Sequence, residues 1–131
     1  MRLWHEKMLP YLSKQHLQGQ HRECCALRGL GWGRKHATVD YVFTYSPMLL
    51  AYYHCRLMQR LQLGWNVDLE PAWYDPLYRG LRAQPWPESC LDIKEPEGLL
   101  YPEHNAAYWQ ECRENLKRKG FDVSLIPEEM K

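Results

Sequence analysis

QHLQGQHRECCALRG, residues 15–29, is the stretch whose reading decides this chain. Ser13 stands just before it as a helix N-cap, and Gly29 closes it as a stop. The helix between them runs to about Arg28. With His16 at zero on a wheel of about 100° per residue, Glu23 falls near −20°, Gln15 near −100° and Arg22 near −120°. Gly19 falls near −60°, between these pairs, so the wheel has a gap rimmed by a carboxylate, an imidazole, an amide and a guanidinium. Leu17, His21, Cys24 and Cys25 point the other way, toward a core. A mid-helix glycine costs about 1 kcal/mol against alanine. Either the backbone of a ligand or a tightly packed neighbouring helix would use the missing side chain. Periodicity alone separates the two no further.

Outward from this helix, the pattern predicts two more. Ser46 and Pro47 open the second as N-cap and first helical residue. Leu50, Tyr53, Leu57 and Leu61 recur along it at helical spacing, and Gly64 is its expected stop. The third starts near His104 or Asn105. It carries Tyr108, Trp109, Cys112 and Leu116 on one face and ends at Gly120. Thr38 to Tyr45 reads as a short strand without an evident partner. Trp65 to Pro102 is a long, proline-punctuated segment without helical period, and such segments are usually functional or mobile. Its Trp65, Trp73, Tyr74, Tyr78 and Trp86 suit either an exposed aromatic wedge or a small core under a long loop, the latter for most of them. The expected fold is all-α: residues 1–131 form one compact domain of three main helices with long irregular connections.

The chain has 131 residues, 45% of them hydrophobic, which is enough for one core. No apolar run approaches a membrane span. MRLWHEKMLPYL at the start carries Glu6 and Lys7 where a signal peptide would be apolar, so it reads as mature cytoplasmic protein. Five cysteines in no framework spacing point to free thiols. His21, Cys24 and Cys25 offer a metal-binding alternative, but a fourth ligand and a CxxC pair are missing. The net charge of +1 excludes a global pull toward polyanions. Locally, Lys14, Arg22, Arg28, Arg34 and Lys35 precede an acid-rich middle, and Arg113, Lys117, Arg118 and Lys119 follow it. These two basic stretches could share a face; ordinary solvated charge is the blander explanation.

The run QHLQGQHRE, residues 15–23, resembles the QHL…(Y/H)RE signature of the pyrimidine-dimer DNA glycosylase family, the endonuclease V type. Weaker similarity continues in RKHATV (34–39), LGWN (63–66) and YPEH (101–104), and the opening MRLW matches a bacterial branch. The resemblance covers most of the chain, and only the first helix is specific. It implies an all-α DNA-repair glycosylase with abasic-site lyase activity, with no metal and no cofactor. The chain's own α-amine, that of Met1, would attack the sugar carbon bearing the damaged base and form a Schiff base; β-elimination then breaks the strand. Glu23 would be the catalytic carboxylate. Arg2, Gln15, His16 and Arg22 would place phosphates and sugar, with Arg34 and Lys35 in the basic loop. The implied partner is damaged double-stranded DNA, met by a monomer away from any membrane. A non-catalytic nucleic-acid-binding module on the same scaffold is the alternative.

The sequence also departs from that family. The family's further arginine, three residues after the glutamate, is Ala26 here, and Arg28 points about 160° away from that slot. The strongly basic balance and aromatic tail of the phage enzyme are absent. Residue 2 is Arg, too bulky for the usual methionine removal, so the reacting amine would belong to Met1. These departures bear on which lesion is recognised more than on the chemistry.

Overall fold

The Ser13 hydroxyl accepts the backbone N–H of His16 at 3.2 Å and so starts helix α1, Lys14–Arg28, in the computed structural model, which describes residues 2–131. Gly29 closes it, with its N–H on the Cys25 carbonyl. Two residues on, Gly31 lies so close to the Ala26 carbonyl that a Cβ would come within 2.7 Å of the oxygen. Only glycine allows the chain to leave α1 by this route.

Helix α2, Pro47–Trp65, begins as expected, with Ser46 capping the Met48 N–H and Pro47 at the first helical position. Its stop differs from expectation. Gly64 lies inside the helix, and Asn66 ends it in the left-handed conformation at φ 52°. Asparagine tolerates that conformation better than most residues, and its N–H reaches the Gln62 and Leu61 carbonyls. Helix α3, Ala106–Arg118, is capped by Asn105, and Gly120 follows it at φ 87°. Thr38–Tyr45 is not a strand. Its central part, Asp40–Thr44, is a 3₁₀ turn, since an isolated strand has no ladder to satisfy its backbone.

Leu17, Cys24 and Leu27 of α1 pack against Leu50, Tyr53, Leu57 and Leu61 of α2. Trp109, Cys112 and Leu116 of α3 complete the same core. Each such aliphatic side chain contributes roughly 1.5–3 kcal/mol on burial. Together these elements make one compact, all-α domain; the described residues contain no strand.

The N-terminal segment is threaded among all three helices. Leu3, Trp4 and His5 are buried. The Trp4 N–H donates to Gln20 of α1, Tyr53 of α2 donates to the Trp4 carbonyl, and Tyr108 of α3 donates to the Leu3 carbonyl. A 3₁₀ helix, Glu6–Tyr11, follows. There the buried Glu6 carboxylate meets His104 Nδ1 at 2.8 Å and accepts the Leu100 and Tyr101 N–H groups. Residues 3–5 are therefore part of the packed interior.

The segment after α2 is irregular, with short 3₁₀ turns at Pro71–Tyr74 and Glu88–Asp92. It is anchored by Arg28. That side chain is 1% exposed and donates to the carbonyls of Trp73, Asp75 and Tyr78 at 2.7–2.9 Å. Trp73 packs on Tyr78 and under the Arg28 guanidinium, while Trp86 meets Trp32 and stacks beneath Arg79 at 3.8 Å. Most of these aromatics are a small core under a loop; Trp65, 45% exposed, is the one turned substantially to solvent.

Candidate active site

Glu23 sits half-buried on α1, in a cleft of about 260 Å³ lined also by Arg2, Trp4, Thr38, Asn115 and Lys119. Four parts of the chain build this cleft: the N-terminal segment, the middle of α1, the turn region at Thr38 and the end of α3. Burial raises the proton affinity of the Glu23 carboxyl above the ordinary carboxylate range, and the positive charges of Lys119, Arg22 and His36 pull it back in part. A carboxyl so placed is better suited to exchanging protons near neutrality than an exposed one.

One Glu23 oxygen is fixed by Gln20, whose Nε2 donates to Oε2 at 2.8 Å. The same Nε2 donates to the Arg2 carbonyl at 3.1 Å. Gln20 Oε1 accepts the Trp4 N–H at 2.7 Å and, at 3.1 Å, a share of the single Tyr53 hydroxyl hydrogen that also meets the Trp4 carbonyl. Both donors and both acceptor positions of the amide are thus used, with the side chain 1% exposed.

The site residues expected from the sequence are not all brought together. Glu23 and Arg2 share the cleft; the Arg2 guanidinium is 3.4 Å from Glu111 and lies over the Tyr108 ring. His16 stands at its edge, packed on Trp4 and Phe121, with Nδ1 2.7 Å from the Ser13 hydroxyl. Burial first, and then Lys119, lower its proton affinity and so favour the neutral imidazole. Gln15 and Arg22 lie exposed on the same side of α1. Arg34 and Lys35 are exposed on the turn after α1 and border a separate depression that Ala26 also lines. Met1 lies outside the described residues.

The gap at Gly19 opens outward. A Cβ there would meet only the Arg22 Nη2, at 3.9 Å, and no other helix. Tight helix packing is thus removed as the reason for this glycine. Arg28, counted in the basic stretch by sequence, is buried and contributes nothing to that face. Lys119 does contribute, with its ammonium 5.3 Å from the Trp4 ring centre.

Sequence reasoning missed Gln20, Trp4, Thr38, Asn115 and Lys119 as members of the site. Gln20 is three residues before Glu23, a spacing that puts the two on one helix face. Thr38 belongs to RKHATV and Lys119 to the basic end of α3, so weak signals existed for both. Nothing in the sequence singles out Trp4 or Asn115.

The metal-binding alternative changes in composition. The donors that converge are His21, Cys25 and His54, all within 4.8 Å of one another, while Cys24 is fully buried in the core. A spacing of four residues aligns Cys25 with His21, and Cys24 is turned away by the helix. The hydrogen bonding then argues against a ligand set. Arg28 can only donate, and its Nη1 lies 2.9 Å from His54 Nδ1. His54 Nδ1 therefore accepts, so Nε2 carries the hydrogen and donates to His21 Nδ1 at 2.8 Å. Burial, with Arg28 beside it, holds His54 neutral. The cluster is a hydrogen-bonded chain that packs the long segment onto α1 and α2.

The cleft thus sets a partly buried carboxyl beside cationic side chains in a helical domain. The family is then fixed by sequence: a family model described as pyrimidine dimer DNA glycosylase matches residues 1–70, just over half of the chain. The chain belongs to the pyrimidine dimer DNA glycosylase family, and with it to the DNA-repair glycosylases. Comparison with curated proteins and with solved structures returned no match. Among the described residues, no helix is long and apolar enough to cross a membrane.

Proposed function

We propose that this protein is a DNA glycosylase with associated abasic-site lyase activity, working as a cytoplasmic monomer on damaged double-stranded DNA. The observation that carries this reading is the shared cleft of Glu23 and Arg2, the residue that directly follows the chain's first. The Met1 α-amine is carried by the residue before Arg2, whose side chain lines the same cleft as Glu23. The whole of residues 1–131 acts as one such domain, because α3 and the N-terminal segment complete the cleft that α1 begins.

The reaction proceeds in balanced steps. The neutral α-amine of Met1 attacks the sugar C1′, and the damaged base leaves with the bonding electrons. With a reference pKa near 8, roughly a tenth of such amines are neutral at pH 7. The attacking nitrogen loses a proton; the C1′–O4′ bond then breaks, the ring oxygen takes up a proton as a hydroxyl, and a protonated imine is left. Glu23 accepts and returns these protons, and its negative charge stabilises the imine. Removal of a C2′ proton then expels the 3′ phosphate by β-elimination. Arg22, Gln15, Arg34 and Lys35, all exposed, hold phosphates; a guanidinium suits that role by its paired donors. Arg2 and His16 orient the sugar and the phosphate beside it. Extruding a nucleotide costs a few kcal/mol, which these contacts must offset. Ala26 adds no charge, so affinity for undamaged DNA is weak, and it falls less steeply with salt than it would with a further phosphate contact.

The test is Glu23→Gln. The variant is expected to fold and bind abasic duplex as the wild type does, while strand cleavage falls about a hundredfold or more. Cleavage near the wild-type rate removes Glu23 from the mechanism. Binding without cleavage by the wild-type protein itself favours the non-catalytic module.

A further inference from the structure

We infer that Gln20 is a positioning residue: its one amide ties the N-terminal segment to the Glu23 carboxylate and fixes both in register. The inference rests on the reading of Glu23 given above. Four bonds carry it. Gln20 Nε2 reaches both the Arg2 carbonyl, at 3.1 Å, and Glu23 Oε2, at 2.8 Å, while Oε1 accepts from the Trp4 N–H and the Tyr53 hydroxyl. The side chain is fully enclosed, so water cannot substitute for any of these partners.

The chemistry of the side chain is specific. A primary amide is the neutral group that offers two donors and two acceptors from one plane. A carboxylate at this position would keep the bonds from Trp4 and Tyr53 and lose those to Arg2 and Glu23. It would also set a second acid within hydrogen-bond distance of Glu23, and two carboxyls so close hold one proton between them. An apolar side chain would free the Glu23 carboxylate to rotate and would leave the Trp4 N–H and the Arg2 carbonyl unsatisfied. Gln20 thus couples the backbone that carries the amine to the carboxylate that serves it. It does so without adding charge to the site.

The first experiment uses the unaltered protein. The Gln20 side-chain amide resonances should exchange slowly and shift with pH at the same midpoint as the Glu23 carboxyl, and Glu23→Gln should abolish that shift. In Gln20→Glu the upper midpoint of the coupled carboxyl pair should rise by at least about one pH unit. The rate of abasic-strand cleavage should follow it, with kcat lowered and KM little changed. In Gln20→Met the Trp4 amide should exchange at least about tenfold faster, as expected for a lost buried hydrogen bond. A Gln20 amide blind to Glu23 ionisation, or a Glu23 midpoint unmoved in Gln20→Glu, overturns the inference even if both variants are stable. Should Gln20→Met fail to fold, the wild-type titration still decides. If the wild-type protein neither cleaves nor traps abasic DNA, the catalytic reading falls, and the carboxyl titrations judge Gln20 independently.

Discussion

Gly19 shows how far single residues can be read. The wheel finds the gap and its polar rim, and the coordinates add what the wheel cannot: the gap is open, with only the Arg22 guanidinium near it. Space therefore exists for a methyl group. Gly19→Ala is expected to stabilise the free protein by up to about 1 kcal/mol through helix propensity. It should weaken binding to abasic duplex by about tenfold, since the gap is then filled where the DNA backbone approaches. Unfolding and DNA titrations measure the two effects separately. Equal DNA affinity in both proteins would mean that the gap faces away from DNA. The place of Glu23 on the rim of that gap was legible in the same stretch, because the helical period sets its carboxylate beside His16. Gln20 was not, because its meaning lies in partners at Arg2, Trp4 and Tyr53. No local pattern announces a side chain whose hydrogen bonds cross the fold.

At the scale of elements, the three helices were legible through caps and period. Ser13, Ser46 with Pro47, and Asn105 all cap as their side chains suggest. The exit from α2 was misjudged because glycine is the commoner stop, yet a left-handed asparagine two residues later satisfies the end carbonyls. The supposed strand failed for want of a partner. The long segment after α2 was recognised as irregular from its prolines, but its anchor was not visible. Arg28 looked like surface charge, whereas it is buried under Trp73 and caps three carbonyls of the segment. Arg28→Ala is expected to cost about 3 kcal/mol or more, as for other broken buried polar networks. Hydrogen exchange should speed up first over residues 71–86, while the core of α2 keeps its protection. A uniform loss of protection would show that this segment does not open by itself.

For the molecule as a whole, the buried titratable groups give a direction to its pH dependence. Burial, with His104 against it, pushes His5 down to about 4 from an ordinary 6.5. His54 is lowered as well. Between the folded and unfolded values the unfolded chain binds more protons, so stability is complete above about pH 6.5 and falls as pH drops toward 4. Glu6, lowered by its bond to His104 against the opposing effect of burial, adds a further loss at still lower pH. Glu23, shifted upward, runs the other way. Unfolding followed from pH 7.5 to pH 4 should show a steady loss, with about 3 kcal/mol attributable to His5. A stability that is flat over this range would mean that His5 is not enclosed as described. The buried segment 3–6, to which His5 and Glu6 belong, is also what the catalytic reading needs. Its most direct test is covalent. Borohydride added while untagged protein acts on abasic duplex should reduce the imine and leave a stable protein–DNA adduct, which mass analysis maps to the Met1 α-amine; an N-terminal extension should abolish it and leave DNA binding intact. An adduct on a lysine would overturn the proposed nucleophile, and no adduct from folded, DNA-binding protein would contradict the account.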